Sequence, residues 1–167
     1  DIQLFKLIRH LKNVDRWREH VFILAGLNGR ATLSRPNEIP PTNLHAENTQ
    51  VTLFIKAPKR LRDTSLNWTI DRNVTLVDVG RTLAEWLHLK TNTESPDFPV
   101  FSLRESLSDT EKLPPYERSL LIESGWGARR NASPIRAALL SNQDYLIFDR
   151  KPRYYNLLTD RFELNPL

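Results

Sequence analysis

The stretch Val21–Arg30, "VFILAGLNGR", constrains the fold more than any other part of this sequence. Five apolar residues run directly into a turn that Gly26 and Gly29 flank. A continuous apolar run of this kind is typical of a strand buried on both faces in a parallel sheet, which delivers the following loop to the sheet edge. The turn offers only Leu27 and Asn28, so it carries no carboxylate, histidine, serine or cysteine for chemistry.

The neighbouring segments predict helices and a second strand, which is the pattern of an α/β protein. Apolar residues in Ile2–His20 recur at spacings of three and four, which predicts an amphipathic helix. The β-branched and aromatic run Val51–Pro58 predicts another buried strand. The stretch "TLVDVGRTLAEWLHL" predicts a helix with Thr75 as N-cap and Asp78 three residues later, where a carboxylate suits the helix dipole.

The last third of the chain changes character. Four short strand-like runs, "RSLLIES", "IRAALLS", "DYLIFD" and "YYNLL", are separated by turn signals. Ser141–Gln143 predicts a tight hairpin turn between two of them. We therefore expect an α/β portion over residues 1–113 and a small antiparallel β subdomain over residues 114–167.

Composition excludes several classes of site. The 167 residues are 40% apolar, which suffices for one sizeable domain. The absence of cysteine excludes disulfides, thiolate metal sites and cysteine nucleophiles within the chain. The four histidines lack metal-ligand spacing, and surface or packing roles are expected for them. Because the chain begins at Asp1 and contains no methionine, we expect its true start to lie upstream.

The basic balance of the chain is mild, with a formal net charge of +4. The densest basic stretch is Lys56–Arg62, "KAPKRLR", which has no interleaved aromatic residues of the kind that stack on bases. It favours a solvated loop, with contact to an anion or a lipid headgroup as the alternative. Nucleic acid is not expected as a partner.

Four stretches match, in chain order, elements of one protein family. The run Val21–Arg30 looks like a family strand that ends in Ser-Asp-His-Gly or Ser-Asp-Asn-Gly. The second stretch resembles "L-x-E-x-x-x-R-V-P-L-I-I-x-x-P", with matches at Glu47, Val51, Leu53 and Pro58. The third is similar to "S-L-V-D-I-x-P-T-L-L-D-L-L-G-I", with matches at Leu76, Val77, Asp78, Thr82 and Leu83. The fourth is similar to "Y-K-L-I-Y…L-Y-D-L-x-x-D-P-x-E-x-x-N-L", with matches at Tyr145, Leu146, Ile147, Tyr155, Leu157, Asp160 and Glu163. The chain thus resembles the C-terminal part of the sulfatases, within the alkaline-phosphatase superfamily.

This resemblance implies a fold, an activity and a location. The fold is α/β: part of an alkaline-phosphatase-like α/β/α sheet followed by a small C-terminal antiparallel sheet subdomain. The activity is hydrolysis of sulfate or phosphate esters by the parent protein, usually outside the cytoplasm: periplasmic, secreted or membrane-anchored. The nucleophile and an Asp pair would lie in the N-terminal part of the same polypeptide, the expected partner, through which membrane association would also arise. No catalytic residue is therefore predicted within this chain.

The family turn supplies two ligands to a divalent cation (Ca, Mn or Zn): a carboxylate and then an Asn or His. Leu27 stands where the family has Asp, so only Asn28 fits a metal-ligand position. A leucine cannot coordinate a cation, and one neutral amide contributes too little charge to hold one. Two hypotheses stay open: an enzyme with an altered metal site, and a non-catalytic sulfatase-like binding or scaffolding domain of a membrane-anchored or secreted protein.

Other polar residues divide between binding and structure. Arg129 and Arg130, in "ESGWGARRN", are candidates for gripping an anionic ester bidentately, with an ordinary surface loop as the alternative. Structural roles are expected for Asp78, Asp160 and Glu163. Among these, Asp160 is predicted to close the exit of the last hairpin through an Asx-type turn.

Overall fold

The chain folds into two compact units. The computed structural model describes residues 1–29, 44–61, 69, 72–90, 99–107, 114, 117–124, 136–148 and 151–167. The first unit contains the described residues of Asp1–Ala25, Thr52–Thr93 and Val100–Pro114. The second contains those of Gly26–Val51, Glu94–Pro99 and Pro115–Leu167. The predicted domain limits, 1–113 and 114–167, stay a prediction.

The first unit holds two helices and a pair of short strands. Its elements are helix α1 (Ile2–Asn13), strand β1 (Phe22–Ala25), strand β2 (Leu53–Lys56), a 3-10 turn (Lys59–Leu61) and helix α3 (Leu76–Trp86). Helix α1 is shorter than the predicted helix because Asp15 adopts a left-handed conformation with a φ of 51°. The amides of Asp15 and Arg16 then bond back to the carbonyl oxygens of Lys12 and Leu11. This is the Schellman arrangement that ends helices.

Strands β1 and β2 pair antiparallel, with Phe22 opposite Lys56 and Ala25 opposite Leu53. The expectation of a parallel pair buried on both faces is therefore wrong for these strands. An apolar run indicates how many layers cover a sheet, but it carries no information about the direction of the neighbouring strand. The burial is also incomplete within the described residues, because the Phe54 side chain is 62% exposed.

The predicted start of α3 is confirmed, including the structural role of Asp78. Thr75 accepts a hydrogen bond from the Asp78 amide, and the Asp78 carboxylate accepts one from the Thr75 amide at 2.7 Å, which completes a capping box. The second carboxylate oxygen accepts from the Phe101 amide at 2.9 Å. Buried Thr82 accepts from the Leu103 amide at 2.8 Å. Helix α3 thus satisfies the backbone of a later loop as well as its own first turn.

The second unit is built on a four-stranded antiparallel sheet. It contains the short helix α2 (Ala46–Thr49) and the strands β3 (Ser119–Ser124), β4 (Arg136–Ser141), β5 (Asp144–Phe148) and β6 (Arg153–Asn156), in the sheet order β3-β4-β5-β6. The four predicted runs are therefore strands. Strands β4 and β5 are joined at the predicted hairpin, where Asn142 has a φ of 55°, as the tightest hairpin turns require.

The core of this unit combines residues of the sheet with Leu44, which lies two residues before the start of α2. Its fully or nearly fully buried members are Leu44, Ala138, Tyr145, Ile147 and Tyr155. The Tyr145 hydroxyl donates a hydrogen bond to the Leu44 carbonyl oxygen. Burial raises the pKa of Tyr145 above its ordinary value, because the phenolate would be formed away from water. The sheet therefore anchors the chain at the point where α2 begins.

Candidate functional site

The turn that follows β1, from Gly26 to Gly29, is the candidate site. Leu27 has a side chain that is 90% exposed, and Asn28 is exposed beside it. The Asn28 side-chain amide nitrogen donates to the Gly29 carbonyl oxygen at 2.8 Å. This bond uses the side-chain nitrogen of Asn28, so the side-chain oxygen of Asn28 is an acceptor that the turn presents.

Gly29 fixes the position of this turn against α2. Its amide donates to the Asn48 carbonyl oxygen at 2.9 Å. A Cβ atom built on Gly29 would lie 2.1 Å from the Glu47 carbonyl oxygen, far inside van der Waals contact. Only glycine allows the two backbones to approach this closely. Gly29 is thus required for the turn to pack against α2.

Helix α2 is held in turn by a buried carboxylate from the C-terminal segment. Glu163 accepts hydrogen bonds from the Ala46 amide, at 3.1 Å to Oε1, and from His45 Nδ1 to Oε2. His45 is 0% exposed and Glu163 is 2% exposed. Because an isolated buried charge is costly, hydrogen bonds from donors such as these stabilise the carboxylate in the interior.

The C-terminal segment that carries Glu163 is itself tied by local hydrogen bonds. The Asp160 carboxylate accepts from the amides of Leu164, at 3.0 Å, and Asn165, at 2.7 Å. The predicted structural roles of Asp160 and Glu163 are confirmed. The Asx-type turn at the hairpin exit is present, but Asn156 forms it by accepting from the Leu158 amide at 3.0 Å.

The donor set of the turn does not fit the divalent cation that the family resemblance implies. The turn presents one neutral amide oxygen beside an apolar side chain, whereas calcium and similar hard cations need several oxygen ligands with carboxylate charge. Among the residues that the structure describes, no group of three or more His, Asp or Glu side chains could hold a metal ion. Asn28 as a metal ligand therefore stays a prediction.

The predicted anion-gripping residues lie outside the described part of the chain. Arg129 and Arg130 are in the undescribed stretch 125–135, so their role also stays a prediction. Glu123, the first residue of "ESGWGARRN", is described and lies on β3 opposite Ala137.

Sequence reasoning missed the pairing of His45 with Glu163. The two residues are 118 positions apart, and neither has a local pattern that points to the other. The one available signal was that both lie in stretches that resemble the same family. The basic stretch from Lys56 is also only partly a solvated loop, because Lys56 donates to the His20 carbonyl oxygen at 2.7 Å, while Lys59 and Arg60 are exposed.

Comparison with known proteins defines the class of fold. No protein-family model and no curated protein matches the chain. The chain is similar to the solved structure of BT4656 in complex with its substrate D-glucosamine-2-N,6-O-disulfate, with a TM-score of 0.65 and 13% identity, over 96% of this chain and 32% of that one. It is also similar to the phosphonate monoester hydrolase of Agrobacterium radiobacter, with a TM-score of 0.65 and 17% identity, over 99% of this chain and 34% of that one.

The chain therefore has the fold of part of each of these two longer proteins. The predicted fold class and the predicted resemblance are thereby confirmed. The chain spans about a third of the length of the proteins it matches, at 32% and 34%. The likeness concerns the fold, since sequence identity is low throughout.

Proposed function

We propose that the chain is the C-terminal part of a sulfatase-like hydrolase. The whole protein cleaves sulfate or phosphate esters, and this part contributes to its structural scaffold. The observation that carries the proposal is the likeness over nearly the whole chain to proteins about three times longer. One of those proteins binds a sulfated sugar as its substrate, and the other is named for phosphonate monoesters. An anionic ester with a tetrahedral sulfur or phosphorus centre is therefore the ligand class that we assign to the whole protein.

The exposed apolar residues of the first unit support a further layer of the same polypeptide. On α1 the side chains of Ile2 and Phe5 are 73% and 64% exposed. Val77 on α3 is 57% exposed, and Leu87, the residue that follows α3, is 65% exposed. Among the described elements, the extensive contacts are those between paired strands. A two-stranded sheet is marginally stable alone, and apolar faces of this kind mark interfaces. The N-terminal part of the parent polypeptide is the partner that we assign to these faces.

A second candidate function is favoured by one specific observation. Leu27 is 90% exposed at the position where the sulfatases place a metal-binding Asp. In this alternative the protein keeps the fold and binds an anionic ester or another subunit, but does not hydrolyse the ester through a metal at this turn. Both candidates place the protein outside the cytoplasm, with any membrane association supplied by the rest of the polypeptide.

Calorimetric titration of Ca²⁺, Mn²⁺ and Zn²⁺ into the full-length protein and its Leu27→Asp variant separates the two candidates. For the non-catalytic candidate we expect no binding by the unaltered protein and a gain of affinity on the order of tenfold or more in the variant, because a carboxylate then joins the Asn28 amide. Leu158→Asp is the matched control, since Leu158 is also an exposed leucine, at 72%, and follows strand β6 instead of β1.

Tight cation binding by the unaltered protein, together with turnover of 4-nitrophenyl sulfate or 4-nitrophenyl phosphate, would select the hydrolase instead. In that case Asn28→Ala should lower both the affinity for the cation and the turnover. If the protein neither binds nor hydrolyses an anionic ester, both candidates are wrong.

A further inference from the structure

The buried carboxylate of Glu163 has no part in the ester chemistry proposed above, yet the fold keeps it in the interior. A hydrophobic or neutral residue there would avoid the desolvation of a charge. Among its hydrogen-bond donors are the His45 ring and the Ala46 amide, which both belong to the start of α2. The contact therefore fixes one particular element in place.

Helix α2 is short enough that its two ends move together. The amides of Asn48 and Thr49 donate to the His45 carbonyl oxygen at 2.9 and 3.1 Å, so the residue that Glu163 holds is bonded directly to the far end of the helix. The Asn48 carbonyl oxygen accepts from the Gly29 amide. Three hydrogen bonds in series, Glu163–His45, His45–Asn48 and Asn48–Gly29, thus join Glu163 to the turn, although Glu163 lies far from Gly29 in the sequence.

The backbones of α2 and of the turn are in close contact at Gly29. At Gly29 even a single added carbon would lie 2.1 Å from a backbone oxygen of α2. A shift of α2 by a fraction of that distance must therefore move the turn or break its hydrogen bond. In a loosely packed loop such a shift would be absorbed, but close-packed backbones transmit it.

We propose that Glu163, acting through His45 and α2, is a positioning residue that sets the conformation of the turn carrying Leu27 and Asn28. This inference rests on the proposed function only in assigning the turn to the ligand site. The consequence is that the C-terminal segment of the chain controls how the turn is presented, whether the whole protein hydrolyses its ester or only binds it.

The test uses the backbone amide of Gly29 as the readout. Asn28–Gly29 is the one Asn–Gly pair in this sequence, so labelling Asn with ¹³C at the carbonyl and Gly with ¹⁵N gives an NMR signal for this amide that Asn28→Gln identifies by its loss. In the full-length protein we expect Glu163→Ala to shift the Gly29 signal and to speed its amide exchange on the order of tenfold, the effect of a lost charge-assisted hydrogen bond. Glu163→Gln keeps an acceptor for the Ala46 amide, so it should shift the signal less.

The control is Ile147→Val, a core change in the same unit that leaves these hydrogen bonds in place. Ile147 is 1% exposed, so the substitution lowers stability without touching the carboxylate. The Gly29 signal should stay in place in this variant. An unmoved Gly29 signal in both Glu163 variants, or an equal shift in Ile147→Val, would show that Glu163 is structural only. Because no ligand is involved, this result is independent of whether the proposed ester chemistry is right.

Discussion

At the residue scale, two glycines that look alike in the sequence have opposite roles. Gly29 follows the apolar strand, and its missing side chain lets the turn dock against α2. Gly80 lies within helix α3, is exposed, and would place a Cβ atom with no heavy atom within 4 Å among the described residues. The surroundings of Gly80 therefore indicate a tolerated imperfection in the helix and no close approach of a described neighbour.

These two environments predict opposite effects of adding one methyl group. Gly29→Ala should lower the free energy of unfolding by about 2 to 3 kcal/mol, because the backbone of α2 or of the turn must move away. Gly80→Ala should raise it by up to about 1 kcal/mol, since alanine is the better helix former. Urea unfolding of the two variants beside the parent sequence measures both. Equal effects in the two variants would contradict the close approach at Gly29.

At the scale of the elements, the periodicity of the sequence placed most helices and strands correctly. It failed where a tertiary contact decided the outcome. The apolar spacing of the sequence continues to Trp17, but helix α1 ends at Asn13. Trp17 packs instead on Phe22 of β1, with the ring centroids 5.4 Å apart. The direction of the β1–β2 pair likewise depended on how the intervening chain returns, which neither strand encodes.

The hydrogen bond from Tyr145 on β5 to Leu44, near the start of α2, predicts that the free energy of unfolding depends on pH. Burial raises the pKa of Tyr145, so the folded state holds the phenol proton more tightly than the unfolded state. The stabilisation is complete below about pH 10, the ordinary tyrosine pKa, and is lost as the pH rises beyond it. Tyr145→Phe should cost about 1 kcal/mol at pH 7 through the lost hydrogen bond to Leu44, and should flatten the decline of stability above pH 10.

The measurement is urea unfolding at a series of pH values from neutral to about 11, covering the range in which tyrosine titrates. Tyr154→Phe is the control, because Tyr154 lies on the neighbouring strand β6, is only half-buried, and has a pKa that is raised chiefly by its hydrogen bond to Asp144. An unchanged pH profile in Tyr145→Phe would contradict the buried phenol.

At the scale of the whole molecule, the two units differ in how complete they are. The second unit has a sheet of four paired strands and a buried core of its own. The first has a two-stranded sheet and helices with exposed apolar side chains, and α1 has no buried residue. Within the part of the chain that the structure describes, no helix combines the length and hydropathy needed to cross a membrane.

The apolar face of α1 predicts different behaviour in the isolated chain and in the full-length protein. The double variant Ile2→Ser, Phe5→Ser should reduce self-association of the 167-residue chain while leaving its free energy of unfolding nearly unchanged. In the full-length protein it should lower that free energy by roughly 2 kcal/mol or more for each side chain, because both would be buried there. Sedimentation and urea unfolding of both forms, with Lys6→Ser as the exposed control on the same helix, provide the comparison.

The sequence by itself determined the class of fold, the start of α3, the four C-terminal strands and the absence of an acidic residue in the turn after β1. These features depend on periodicity, on capping residues and on residue identity, which are local properties of the chain. Only the tertiary structure decided the antiparallel direction of β1 and β2, the docking of Gly29 on α2 and the burial of Glu163 against His45. Each of these depends on which distant segments meet, because a buried charge or a close backbone approach is stable only where the partner supplies the matching donor or the empty space.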